Sequence, residues 1–138
     1  MRLEKKVALI TGSTRGIGRT MAEMFAVEGA KVVVSGRTVD KGERNVQRIR
    51  DAGGEAMFVP LDVSDEASVQ DAVTATVEAY GPITTLVNNA APTAIVARSF
   101  KPLTELRSDE WDEILRNTVT SVFLMTKYTV PHMLEAGG

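Results

Sequence analysis

At 138 residues, 43% hydrophobic and 25% charged, the chain suits one domain with a real core and an ordinary surface. A net charge of −2 and an isoelectric point near 5.5 point away from nucleic acid or an anionic membrane as partner. With no cysteine and one histidine, disulfides and thiolate chemistry are excluded and no metal site is expected, which fits a reducing, cytoplasmic setting.

Met1 to Lys6 runs straight into a first strand, so no signal peptide fits before it, and no apolar run is long enough to span a bilayer. Val7 to Ile10 is a short apolar run, as in a strand buried on both faces. A helix follows, with Ile17, Met21, Met24 and Phe25 as its apolar face and a stop at Glu28-Gly29. Lys31 to Ser35 is β-branched and reads as a second strand. Asp40 to Ala52 reads as a charged surface helix with Val46 and Ile49 inward, stopped by Gly53-Gly54. Ala56 to Leu61 is a third strand.

Ser64-Asp65-Glu66 reads as a helix start, with Ser64 as the N-cap. Val69, Val73, Thr76, Val77 and Tyr80 form its stripe, and Gly81-Pro82 ends it. Thr84 to Asn88 is a fourth strand. Residues 91–107 read as a long loop with room for a short helix. Ser108-Asp109-Glu110 repeats the cap pattern and opens a long helix carrying Ile114, Leu115, Thr118, Val122, Met125 and Thr129, with Trp111 as a packing anchor in its first turn. Strands and helices thus alternate. That pattern predicts an α/β fold: a doubly wound parallel sheet of four strands, incomplete at its C-terminal end.

The stretch Thr11-Gly12-Ser13-Thr14-Arg15-Gly16-Ile17-Gly18 lies between the first strand and the first helix. Glycines allow a tight turn and a close backbone approach. The helix N-terminus adds free N–H groups and the positive end of its dipole, so the stretch reads as a cradle for a pyrophosphate. Dinucleotide folds usually place an acid at the end of the second strand to hold the ribose 2′-hydroxyl. Here that place reads Ser35-Gly36-Arg37-Thr38. A guanidinium suits a 2′-phosphate dianion, and Arg15 could add a second charge, which favours NADP(H) over NAD(H). The other reading leaves both arginines as solvated surface charges. Asp62 and Val63 close the third strand, where Asp62 is placed either to accept from an adenine amino group or to act as a turn residue. Asn88, Asn89, Ala90 and Ala91 close the fourth strand, where asparagines can tie neighbouring backbones together. His132 reads as a helix C-terminal cation rather than a catalyst.

Together these residues resemble the short-chain dehydrogenase/reductase family, from Thr11-Gly-x-x-x-Gly-Ile-Gly18 through Asp62-Val63 to Asn88-Asn89-Ala90, over essentially the whole chain. The resemblance implies a Rossmann-type NADP(H)-binding domain over 1–138, with its four strands in the order 3-2-1-4, and ketoreductase-like hydride exchange between a small-molecule carbonyl and an alcohol. Cofactor contacts are implied at Gly12, Ser13, Thr14, Arg15, Gly16, Ile17, Gly18, Arg37, Asp62, Val63, Asn88, Asn89, Ala90 and Ala91. It also implies a homodimer or homotetramer, often joined through the helix that begins near Ser108.

The chain departs from the family pattern at three places. Ala91 stands where the family motif has glycine. The family's active-site asparagine falls, by counting from Trp111 and Phe123, on Thr118, with Asn117 one residue earlier. A one-residue step turns a helical side chain by about 100°, so either the helix is distorted there or the role is played in another way. The family's serine and Tyr-x-x-x-Lys pair come later than these residues extend: Tyr80 is followed at that spacing by Thr84, and Tyr128 by His132. The chain alone is therefore expected to bind a cofactor without turning it over. The alternatives are a non-catalytic NADP(H)-binding module and an inactive truncated fragment.

Overall fold

A computed structural model describes residues 1–93 and 100–137. The elements are β1 (Val7–Ile10), α1 (Gly16–Val27), β2 (Lys31–Gly36), α2 (Val39–Asp51), β3 (Glu55–Pro60), α3 (Glu66–Tyr80) and β4 (Thr85–Val87). After a single 3₁₀ turn at Leu103–Glu105 come α4 (Ser108–Leu115), a π-helical turn (Arg116–Thr120) and α5 (Ser121–Glu135). Part of the expected loop, 94–99, lies outside the described residues.

The four strands form one parallel sheet in the order β3-β2-β1-β4. Leu9 lies level with Val33 and Leu86, and Ile10 with Val34 and Val87. Because side chains alternate along a strand, successive residues feed two separate cores. Leu9, Val33 and Val59 pack with Val69 and Val73 of α3 and with Leu124 and Met125 of α5. Ala8, Ile10, Val32 and Val34 pack with Ala22 and Ala26 of α1 and with Val46 and Ile49 of α2. Helices on both faces explain why the central strands read as unbroken apolar runs.

Several local expectations are corrected. The inward face of α1 is Gly18, Ala22 and Ala26, while Ile17 and Met24 are 75% and 58% exposed. Small residues lie innermost because α1 runs close against the strand ends; Met21 and Phe25 pack half-buried against the same core, as expected, while Ile17 and Met24 are turned to solvent. The cap of α3 is Asp65, whose carboxylate accepts from the Ala67 N–H at 3.1 Å. Ser64 is instead drawn to Asp62, donating through both Oγ (2.6 Å) and N (2.9 Å). At α4 the cap position is Arg107, and Glu110 reaches back to accept from its N–H at 2.9 Å. Trp111 is 46% exposed rather than an anchor, and Val122 is exposed.

Candidate functional site

The expected site residues of the first four strands gather at the C-terminal ends of β1, β2, β3 and β4. The chain leaves β1 through Gly12 and Gly16, both with positive φ (63° and 56°). Gly12 also lies against Ala90: a Cβ there would sit 2.9 Å from the Ala90 Cα. Gly18 is buried in the first turn of α1, and a Cβ on it would run into the Asn89 amide and the Gly12 carbonyl. These contacts press the turn against the end of β4.

Hydrogen bonds fasten it there. Thr11 Oγ1 donates to Val87 O at 3.3 Å and accepts from the N–H groups of Asn89 and Ala90, each at 3.0 Å. Asn89 Nδ2 donates to the carbonyls of Thr11 (2.9 Å) and Gly12 (3.2 Å). On the other side, Ser13 is fully buried. Its Oγ donates to Ile10 O at 2.7 Å and accepts from Ser35 N at 2.9 Å, and its N–H donates to Ser35 O at 2.9 Å. Ser13 is therefore a tie between β1 and β2, with its side chain fully engaged. Asn88 and Ala91 are exposed, and Thr14 rests its methyl against Gly36.

At the mouth of α1 the cap position is Arg15, with no side-chain cap and no acid in the first turn. The N–H groups of that turn lack the usual internal partner and form the positive end of the helix dipole. Arg15 is exposed and reaches across the turn, donating through Nη2 to Thr93 Oγ1 at 2.9 Å. Nothing lies within 4 Å of where a side chain on Gly16 would begin. Ile17 is exposed beside this opening.

Arg37 is exposed at the end of β2. Its charge reaches Asp62, half-buried after β3. Burial alone would raise the Asp62 pKa, but hydrogen bonds from the Ser64 hydroxyl and N–H, and then Arg37, hold it below the usual carboxylate value. Val63 is buried and packs into the core beside Leu61 and Val69.

Asn117 and Thr118 both fall in the π turn, so the helix is distorted at the place where the residue count leaves the family asparagine between two positions. Both are half-buried. Each turns its side chain back along the helix: Asn117 Nδ2 donates to Glu113 O at 2.9 Å and Thr118 Oγ1 to Ile114 O at 2.7 Å. Neither is hydrogen-bonded to the glycine turn among the described residues.

Two residues at the site carry no signal in the glycine motif: Ser35 and Asn45. Ser35 Oγ donates to Ile10 O at 2.9 Å, and Asn45 Nδ2 to Ser13 O at 2.8 Å. A polar residue on the inward stripe of α2, between Gly42 and Val46, is the sequence signal that could have found Asn45. A cavity of about 340 Å³ lies elsewhere, between the C-terminal parts of α1 and α2, lined by Ala26, Val27, Arg48 and Ile49. It includes none of the expected site residues.

A family model described as short chain dehydrogenase matches residues 6–138. The chain is 41% identical over 138 residues to an NADP-dependent (R)-specific alcohol dehydrogenase of Lentilactobacillus kefiri, covering 99% of this chain and 52% of that protein. It is 41% identical over 137 residues to a 7alpha-hydroxysteroid dehydrogenase of Clostridium sardiniense, covering 99% and 52%. A crystal structure of a hydroxysteroid dehydrogenase from Escherichia coli superimposes with a TM-score of 0.91 at 31% identity, covering 99% of this chain and 56% of that one. The chain spans about half the length of the curated relatives it matches.

Proposed function

The chain belongs to the short-chain dehydrogenase family, and from that premise we propose that it is the cofactor-binding part of an NADP(H)-dependent oxidoreductase acting on a small-molecule carbonyl or alcohol. The observation that carries this reading is the opening over Gly16. A glycine turn leads there into an uncapped helix N-terminus with no acid in its first turn, the arrangement that receives a pyrophosphate. Those residues fit a nicotinamide dinucleotide. When bound, its nicotinamide would give or take the hydride; the residues here bind and orient it.

The turn from Gly12 to Gly18 would hold the pyrophosphate, with Ala90 and Ala91 alongside. Arg37 would pair with the 2′-phosphate, with Arg15 released from Thr93 to assist. Asp62, kept ionised at neutral pH, would accept from the adenine amino group. Asn117, or Thr118 beside it, is where we place the long helix's part in the active site. The NADP-dependent relative supports the choice of cofactor.

The test is a fluorescence titration of NADPH and NADH against the chain and its Arg37→Ala variant. Losing a charge-assisted hydrogen-bond pair should weaken NADPH roughly tenfold or more, with NADH nearly unaffected. Equal losses for both would overturn the 2′-phosphate assignment. The second reading is a module that binds NADP(H) without chemistry of its own. Intact mass of the natural protein separates the two. A mass well above 14.9 kDa goes with the reductase, and a mass equal to it with the module. Absence of any binding would leave only an inactive fragment.

A further inference from the structure

We propose that Asn45 is a positioning residue for the phosphate-facing turn, the second half of a two-asparagine clamp; this rests on reading that turn as a dinucleotide site. Thr11, Gly12 and Ser13 present three consecutive carbonyls, and side-chain amides hold all three. Asn89, after β4, takes the first two at 2.9 and 3.2 Å, and Asn45, from α2, takes the third at 2.8 Å. The two asparagines approach β1 from opposite flanks of the sheet order, β4 on one side and β2 with α2 on the other.

A peptide unit is planar and trans, so its C=O and the following N–H point in opposite directions. Fixing the Ser13 carbonyl therefore fixes the Thr14 N–H. The preceding amide in the turn is already committed, since Ser13 N–H donates to Ser35 O. Among the described residues the Thr14 N–H has no partner. It is an amide of the turn left for an anion, and Asn45 sets its direction. A freed Ser13 carbonyl could swing its negative end toward the phosphate.

Asn45 is otherwise oddly placed. It is 2% exposed, lies on the buried stripe of α2 with Gly42, Val46 and Ile49, and its Oδ1 has no partner among the described residues. A buried amide with one end unmet is disfavoured, so packing alone would favour an apolar side chain there. Gly42, one turn earlier, leaves no room for a Cβ against the Phe58 ring. That close seat of α2 brings Asn45 within reach of Ser13.

Because the pyrophosphate is common to both dinucleotides, Asn45 differs from Arg37 in what its loss should do. NADPH and NADH are titrated by nicotinamide fluorescence against the wild-type chain, Asn45→Leu and Asn45→Ser, well below each variant's Tm. Leucine keeps asparagine's branching and heavy-atom count and removes the unmet acceptor, but it is bulkier and leaves the buried Ser13 carbonyl unpaired, so Tm should fall while the variant still folds. Affinity should fall about tenfold, and by the same factor for both dinucleotides. Wild-type affinity in folded variants overturns the proposal, as does a loss confined to NADPH. If Asn45→Leu does not fold, Asn45→Ser decides, because its hydroxyl is too short to reach the Ser13 carbonyl. A wild-type chain that binds neither dinucleotide overturns the site reading itself, and the clamp with it.

Discussion

Asp62 illustrates how one side chain serves both fold and site. Its Oδ1 accepts two hydrogen bonds from Ser64, and Arg37 lies close enough to add its charge. Burial opposes ionisation, yet the net effect is a pKa below the ordinary 3.8. The folded value is depressed, so as pH falls the unfolded chain takes up its proton first. The stabilisation is thus fully present above the ordinary value and is lost as pH drops through the lower folded value. Urea unfolding from about pH 5 to about pH 3 should show a steeper loss of stability for wild type than for Asp62→Asn. Equal slopes would mean that the Ser64 bonds do not favour the ionised form. At this scale the sequence was legible where the backbone itself is the device. The glycine spacing located a turn with positive φ at Gly12 and Gly16. It did not tell that Ser13 would be buried and fully bonded, because that depends on Ser35, 22 residues on.

The elements were legible wherever hydrophobic runs or glycine stops mark them, as at β1, β2 and the ends of α1 and α3. Faces and caps were less so. On α1 the reading held for Met21 and Phe25, which pack half-buried on the core, but not for Ile17 and Met24; Ala22 and Ala26 lie innermost, where the helix runs close to the sheet. Ser64 looked like the cap of α3, yet Asp65 holds that place since Ser64 is engaged by Asp62. The long helix hides its π turn for a related reason. Asn117, Thr118 and Ser121 can each bond a carbonyl of the preceding turn, and such back-bonding competes with the regular ladder. Ser121, buried, donates to Asn117 O at 3.1 Å and Thr118 O at 2.9 Å, carbonyls that a widened turn leaves less well served. Ser121→Ala should therefore destabilise the chain by about 1 kcal/mol and speed amide exchange over Arg116–Thr120 more than in α5. Unchanged exchange there would mean that the turn is set by packing of Leu124 and Met125 instead.

One run of exposed apolar side chains follows the last helices of the molecule. Trp111, Val119, Val122 and Phe123 are exposed along α4, the π turn and α5, with Phe123 59% so. Patches of that kind mark association surfaces in soluble domains. With the expected homodimer or homotetramer in mind, sedimentation should give a mass that is a multiple of 14.9 kDa, and Phe123→Asp should shift it to the single-chain value. A wild-type chain that sediments as a monomer would remove this face as the contact. No helix among the described residues is long and apolar enough to cross a membrane, so this face is not a spanning segment.

The clasp between Thr11 and Asn89 has a consequence for how the chain acquires its shape. The two residues are 78 positions apart, and Ala90, which packs on Gly12 and bonds Thr11, is one further. Contacts of such long sequence separation form late, because the intervening loop must close before they can hold anything in place. A nascent chain would carry Gly12 to Gly18 out of the ribosome early, yet could not set that turn until residue 90 had followed and β4 had docked beside β1. The turn is thus assembled well after it is translated, and a ligand that needs it recognises only chains in which residues 11 to 90 have already found their places.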